Sequence, residues 1–293
     1  MGIILGLTAA LCWGVSDFVA RFAARRTGAF RALLAMQVIG LLALSVFLES
    51  TGGFSRGVAL SGWQPWRLAV FAAVLNTIGS LALYYAFQIG VMTIVAPISS
   101  SYPAITVALA LLGGERIRVL GAVGLGITLT GVILAAASFN LTASEDSSGK
   151  TPGTRLARGV GWSLVSTVSF GVMFWFLGFH VLPVMGAAVS VWVIRLSTSS
   201  LLLLAAAPAR QSLRISWGGV WWLLIIMGLM DTIAYVANNA GLRGGPVSVV
   251  TVIASMYGAV TVLLSAIFLR ERLRRSQWLG VALIFAGIVL VSL

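Results

Sequence analysis

Five ionisable side chains stand inside long apolar stretches of this sequence, where a charge needs a physical reason. They are Asp17, Arg21, His180, Arg195 and Asp231. An ionised group at the centre of a lipid bilayer costs at least about 2.5 kcal/mol, so such residues face protein or water and often serve function. A carboxylate in that setting can hold a proton or bind the amine of a ligand.

Asp17 and Arg21 lie four residues apart, so on a helix they share one face and could form an ion pair. Trp13 stands one turn before Asp17 on the same face. Two interpretations stay open: Asp17 is a structural partner of Arg21, or it binds a proton or a substrate amine. Asp231 has no basic residue nearby on its own helix. Its partner could be Arg195, which we expect to pair rather than to bind substrate.

The composition is that of an integral membrane protein. Hydrophobic residues make up 59% of the chain and charged residues 9%, with a mean hydropathy of +1.04, whereas soluble domains are about 25% charged. The net charge of +12 comes mostly from arginines at the ends of apolar runs. Arginines in this position are typical of the loops that flank membrane spans, so we do not expect nucleic-acid binding. One cysteine and one histidine exclude an intrachain disulfide and a His-based metal site.

Ten apolar runs have the roughly 20 residues that a spanning helix needs. No basic segment precedes the first run, so we expect a spanning helix there and not a cleaved leader. Two connections are long, and the second is the most polar stretch of the chain. We expect a first five-helix repeat over 1–138, a polar linker over 139–158 and a second repeat over 159–293. The predicted spans are 3–24, 30–48, 66–88, 91–112, 118–138, 159–180, 184–207, 217–241, 246–269 and 276–293.

An internal repeat of about half the chain length sets the architecture. Glu115-Arg116 and Glu271-Arg272 lie 156 positions apart, and two glycines follow each pair at the same spacing. Because each repeat holds five spans, an odd number, the second must enter the membrane from the opposite side. The sequence thus predicts an all-α polytopic membrane protein of ten transmembrane helices in two inverted repeats, with a site near the midplane. Two other motif pairs repeat: Trp13-Gly14-Val15 with Phe170-Gly171-Val172, and Tyr102-Pro103-Ala104-Ile105-Thr106 with Tyr257-Gly258-Ala259-Val260-Thr261.

Polar stripes on the third and eighth spans indicate where a cavity would lie. The third span carries Asn76, Ser80, Tyr84 and Gln88 at four-residue spacing, and the eighth carries Asp231, Tyr235, Asn238 and Asn239. Such stripes avoid lipid, either by lining a cavity or by hydrogen bonding between helices. The fourth span contains Pro97, three serines and Pro103, so we expect a bent helix with carbonyls available to a ligand. We expect the ninth span to be less broken.

The repeated motifs resemble the EamA repeat of the drug/metabolite transporter superfamily over essentially the whole chain outside the linker. The aromatic positions Trp13, Tyr102 and Phe170 are similar to those of the YddG-type amino-acid exporters, although Tyr102 replaces the tryptophan expected there. This resemblance implies a multi-pass protein of the bacterial inner membrane that exports small metabolites. It also implies an N-terminus inside the cell, whereas the distribution of lysine and arginine between the two sides, twelve against five, favours an N-terminus outside. Orientation therefore stays open.

We expect a secondary transporter that exports amino acids, with aromatic ones among the candidates, or similar small metabolites by alternating access. A cationic-drug exporter and a non-transporting membrane scaffold are the alternatives. No enzyme signature, phosphate-binding loop, cofactor site or metal site is found in the sequence, and the oligomeric state is open. Asp17 and Asp231 are the candidate coupling groups. The candidate substrate-binding residues are Trp13, Asp17, Asn76, Tyr84, Ser100, Tyr102, Phe170, Asp231, Tyr235, Asn238 and Tyr257.

Overall fold

The computed structural model describes residues 1–53, 63–115, 119–137, 159–216, 218–269 and 275–292. The predicted linker and Glu271 lie outside the described residues. Each element in the described ranges is a helix, and a π-helical turn, Leu177–Val181, joins α7 to α8. The helices are α1 (Gly2–Thr27), α2 (Ala29–Ser50), α3 (Gln64–Ile89), α4 (Met92–Ser99), α5 (Pro103–Leu112), α6 (Val119–Ala137), α7 (Val160–Phe176), α8 (Leu182–Met185), α9 (Ala187–Ala206), α10 (Val220–Gly244), α11 (Val247–Ala254), α12 (Tyr257–Phe268) and α13 (Arg275–Ser292).

Eight candidate membrane spans are long and apolar enough to cross a bilayer, which confirms the all-helical membrane fold. Three of these spans consist of two consecutive helices: α4 with α5, α7 with α8, and α11 with α12. The two remaining predicted spans correspond to α6 and α13, which pack along each other. Gly124, Gly131, Gly280 and Gly287 are all buried, as expected for close packing of small residues. The count of ten spans stays a prediction.

Two spans differ from the sequence-based expectation. The sixth continues through the π turn to Met185, and it ends at Gly186 with a φ of 74°, a conformation that glycine adopts without steric cost. The ninth span, expected to be less broken, stops at Ala254 and restarts at Tyr257. No proline is needed there, because the Ser255 hydroxyl donates to the Val252 carbonyl at 2.7 Å and competes with the helical ladder.

Two equivalent hydrogen bonds tie the repeats together. The Thr106 hydroxyl on α5 donates to the Gly171 carbonyl on α7 at 2.8 Å. The Thr261 hydroxyl on α12 donates to the Gly14 carbonyl on α1 at 3.2 Å. These four residues are the ones that the repeated motifs match. The fourth span of each repeat is thus fastened to the first span of the other, and we call this pair of contacts the interlock.

The Glu115 side of the repeated Glu-Arg motif also joins the two halves. Ser248, at the start of α11, donates its hydroxyl to the Glu115 carboxylate at 2.9 Å and its backbone N–H at 3.3 Å. A carboxylate at a helix N-terminus also interacts favourably with the helix dipole. The motif thus acts as scaffold, as the sequence indicated. We refer to this end of the bundle as the Glu115 end.

The interlock depends on a glycine at the helix crossing. A Cβ atom at Gly171 would lie 2.9 Å from the Tyr102 carbonyl oxygen and 2.6 Å from Cβ of Ile105, whereas one at Gly161 of the same helix meets nothing within 4 Å. We expect Gly171→Ala to lower the free energy of unfolding by roughly 1–3 kcal/mol through overpacking. Gly161→Ala is the matched control and should be neutral or stabilising. Thermal unfolding in detergent measures both, and equal unfolding temperatures for the two variants would contradict the close approach.

Candidate functional site

A cavity lies between the repeats, lined by residues of α1, α2, α3, α7, α10 and α12 together with Tyr102 at the break before α5. Its volume is about 50 Å³, room for a few water molecules. The structure brings nine of the eleven predicted site residues to this cavity. They are Trp13, Asp17, Asn76, Tyr84, Tyr102, Phe170, Asp231, Tyr235 and Tyr257.

The other two predicted residues, Ser100 and Asn238, do not line the cavity in this conformation. The Ser100 hydroxyl donates to the Pro97 carbonyl at 3.0 Å. Its side chain packs against Gly258, where a Cβ atom would collide with it. Ser100 thus sits at the crossing of the two broken spans, and contact with substrate would require this crossing to open. Asn238 is wholly buried, two turns along α10 from Asp231.

Aromatic rings form most of the cavity wall on the side of the helix breaks. Tyr102 and Tyr257, equivalent in the two repeats, stack with centroids 6.3 Å apart and planes 18° from parallel. Phe174 lies at the middle of the cluster, 5.0 Å from Tyr102 and 5.7 Å from Trp13 between ring centroids. Sequence reasoning missed Phe174. It occupies the position of the second repeat that matches Asp17, and this correspondence is the signal that could have found it.

A charged network lies on the cavity wall beside the aromatic rings. Arg195 donates to Oδ2 of Asp231 at 2.6 Å, which forms the ion pair that the sequence suggested. Trp13 donates its indole N–H to Oδ1 of the same carboxylate at 3.0 Å. The other terminal nitrogen of Arg195 donates to Gln37 at 3.0 Å. The Asp231 carboxylate is therefore held on both oxygens, and it links three helices.

Space for the buried guanidinium comes from a glycine on α2. A Cβ atom at Gly40 would lie 2.7 Å from Cζ of Arg195, so a larger residue there would displace the side chain. Arg195 itself has no exposed surface. Burying a guanidinium is costly unless it is paired and hydrogen-bonded. The contacts with Asp231 and Gln37 engage both terminal nitrogens, while Nε has no hydrogen-bond partner among the described residues.

The two repeats differ in charge at equivalent positions of this network. Gln37 and Arg195 each follow the first residue of their helix by eight positions, and Asn76 and Asp231 each precede the closing glycine of the third span in their repeat by fourteen. The first repeat thus contributes two neutral amides where the second contributes an ion pair. Gln37 was absent from the predicted site. Gln37 lies inside an apolar span at the position equivalent to Arg195 in the second repeat, and this correspondence could have identified it from the sequence.

Asp17 adds a second carboxylate to the cavity. Its side chain is buried and lines the same cavity as Asp231. Arg21, the partner considered from the sequence, does not line the cavity. Arg195 is already engaged by Asp231, so the residues around the cavity carry one carboxylate more than they carry guanidinium groups. In its ionised form the additional carboxylate would attract a cationic group, and the aromatic walls would suit an apolar body.

Comparisons with known proteins agree with this architecture. The model of the EamA-like transporter family matches residues 1–137 and again residues 157–293. An uncharacterized protein of Methanocaldococcus jannaschii is 34% identical over 137 residues, which is 46% of this chain and 96% of that protein. That relative is therefore about as long as one repeat. A protein of known crystal structure shares the fold with a TM-score of 0.73 at 18% identity, over 99% of this chain and 97% of that one.

The fold and the cavity together define a polytopic helical membrane protein with two repeats around a central site. The two family matches cover nearly the whole chain, so the chain belongs to the EamA-like transporter family, within the drug/metabolite transporter superfamily. It is a multi-pass membrane protein of a family that transports small molecules. The resemblance to the EamA repeat is confirmed, and the similarity to YddG-type amino-acid exporters stays a prediction.

The ion pair offers a direct test of the charged network. Asp231→Asn leaves the Arg195 guanidinium buried without a counter-charge, and we expect a loss of roughly 3–5 kcal/mol in stability. The double variant Arg195→Gln with Asp231→Asn gives the second repeat the residue types that the first has at Gln37 and Asn76. It should recover most of that loss. Thermal unfolding in detergent is the measurement, and a single variant as stable as the double one would show that the pair is not energetically coupled.

Proposed function

We propose that this protein is a secondary transporter of the bacterial inner membrane that exports amino acids or similar small metabolites by alternating access. The observation that carries the proposal is the cavity between the repeats, which combines an excess carboxylate with aromatic walls. Inverted repeats around a central site are the architecture that allows access from alternate sides. The carboxylate would bind the substrate's ammonium group and the rings would contact its side chain.

The cavity must enlarge to accept such a substrate. Its volume of about 50 Å³ is far below the several hundred Å³ that sites for small molecules occupy. The aromatic cluster would therefore separate when one end of the bundle opens. The interlock leaves each broken span attached to the first span of the other repeat, so we expect these helices to move as pairs.

Asp17 is the proposed coupling group or amine site. Asp231 already accepts hydrogen bonds from Arg195 and Trp13, so ligand binding there would require these contacts to be given up. The Asp17 carboxylate lines the same cavity and would neutralise a cation with less rearrangement. This assignment favours the binding interpretation of Asp17 over that of a structural partner of Arg21.

A cationic organic compound is the second candidate substrate. The specific observation in its favour is that Arg195, the guanidinium beside the cavity, is engaged by Asp231 and Gln37. A substrate carboxylate would thus have to compete with Asp231 for its cationic partner. A compound with an amine and no carboxylate would avoid that competition.

Liposome flux with a matched pair of radiolabelled compounds tests both candidates. Tryptophan and tryptamine differ by the carboxylate alone. Faster flux of tryptophan supports amino-acid transport, and faster flux of tryptamine supports the cationic substrate. If neither exceeds empty liposomes, the amine-bearing substrate class is wrong. Binding that stabilises the fold without flux would instead favour a non-transporting scaffold.

Asp17→Asn should slow the flux of whichever compound is transported by about tenfold, because one charge-assisted contact of roughly 1.5 kcal/mol is lost. Glu49→Gln, at the exposed end of α2, removes the same charge away from the cavity and serves as the control. The measurement is the initial rate at equal amounts of folded protein. An unchanged rate in Asp17→Asn would remove Asp17 from the site.

A further inference from the structure

Asn238 on α10 is a wholly buried amide without a hydrogen-bond partner among the described residues. Its side chain has no exposed surface, and neither Nδ2 nor Oδ1 makes a hydrogen bond. A buried polar group that loses its bonds to water is destabilising, so an orphan of this kind calls for a functional or solvent explanation. The adjacent Asn239 is only half unsatisfied: its Nδ2 donates to the Ser190 hydroxyl at 3.1 Å, while its Oδ1 has no hydrogen-bond partner among the described residues.

The position of Asn238 places it beyond the cavity, on the way to the Glu115 end. It follows Asp231 by seven residues, two helical turns, and therefore shares its face of α10. Tyr235, one turn after Asp231, stands between them and closes the cavity with Trp13, 6.1 Å away between ring centroids. A substrate leaving the cavity toward this end would meet Asn238 once these rings separate.

A second unpartnered polar group lies on α11, the helix that starts at the same end. The Thr251 hydroxyl is buried and has no hydrogen-bond partner among the described residues. Thr251 stands three residues after Ser248, which holds Glu115. Its carbonyl accepts a hydrogen bond from the Tyr102 hydroxyl at 3.4 Å, so it lies next to the aromatic cluster. Polar groups thus continue from the cavity to the Glu115 end.

We propose that Asn238 and Thr251 form a second substrate station on the Glu115 side of the aromatic cluster. This station rests on the proposed transport function and names a further part of the same path. Oδ1 of Asn238 and the Thr251 hydroxyl accept hydrogen bonds from an ammonium group, and Nδ2 of Asn238 donates to a carboxylate. Because both the donor and the acceptor of the Asn238 amide are unused, the amide is complementary to the ammonium and carboxylate groups of an amino acid. For an amine without a carboxylate, Oδ1 of Asn238 and the Thr251 hydroxyl would act as the acceptors.

The neighbouring asparagines provide a matched experiment. Asn238→Leu replaces an unsatisfied amide by an apolar group of similar shape, so the unfolding temperature should stay the same or rise. Flux of tryptophan or tryptamine into liposomes should fall by about tenfold, the loss of a hydrogen-bonded contact to a charged group. Asn239→Leu breaks the bond to Ser190, so its unfolding temperature should fall while the flux per folded molecule is retained. Thr251→Val, a near-isosteric change, should reproduce the flux loss of Asn238→Leu.

If Asn238 were purely structural, Asn238→Leu would not lower the flux while the unfolding temperature stayed the same or rose. Wild-type flux in both Asn238→Leu and Thr251→Val would overturn the station and leave a buried water as the partner of the amide. A fall in unfolding temperature for Asn238→Leu, with flux lowered only in proportion to folded protein, would overturn it as well. Absence of flux in the wild-type protein contradicts the proposed function itself, and the station with it.

Discussion

The interlock between Thr106 and Gly171, and between Thr261 and Gly14, is the constraint on which the rest of the structure depends. Each bond runs from the fourth span of one repeat to the first span of the other, and the glycine lets two helix backbones approach closely. Without a hydrophobic force between helices in lipid, such packing and hydrogen bonding hold a membrane bundle together. The breaks in the fourth and ninth spans lie beside the interlock. This places Tyr102 and Tyr257 against each other at the centre.

Charge is distributed unequally on this nearly symmetric frame. The first repeat contributes Gln37 and Asn76, and the second contributes Arg195 and Asp231 at the equivalent positions. The ion pair is compatible with burial because Trp13 and Gln37 make hydrogen bonds to it and Gly40 leaves room for the guanidinium. Once the pair is formed, Asp17 is the carboxylate on the cavity wall that the guanidinium does not offset. The positions that are alike in the two repeats form the scaffold, and the positions that differ between the repeats carry the buried charges.

The proposed path for substrate runs from the cavity through the buried polar groups on its Glu115 side. A transport site has to bind its substrate and also release it, so weakly satisfied polar groups along the route are consistent with function even though they reduce stability. Asn238 and Thr251 fit that description, whereas Asn239, one residue away, is bonded to Ser190. In the conformation described, the aromatic cluster lies between the cavity and these two residues.

The class of protein, the two repeats and most of the cavity residues follow from the sequence alone. Periodic apolar runs, the paired motifs and the polar stripes are local patterns, and they led to nine residues that line the cavity, from Trp13 to Tyr257. The folded structure was needed to show which helix faces contact each other. It showed that Phe174 joins the aromatic cluster, that Gln37 supports Arg195, that Ser100 packs at the helix crossing and that the ninth span breaks without a proline. These features depend on contacts between residues far apart in the chain, and a pattern along one helix carries no information about the side chain that faces it.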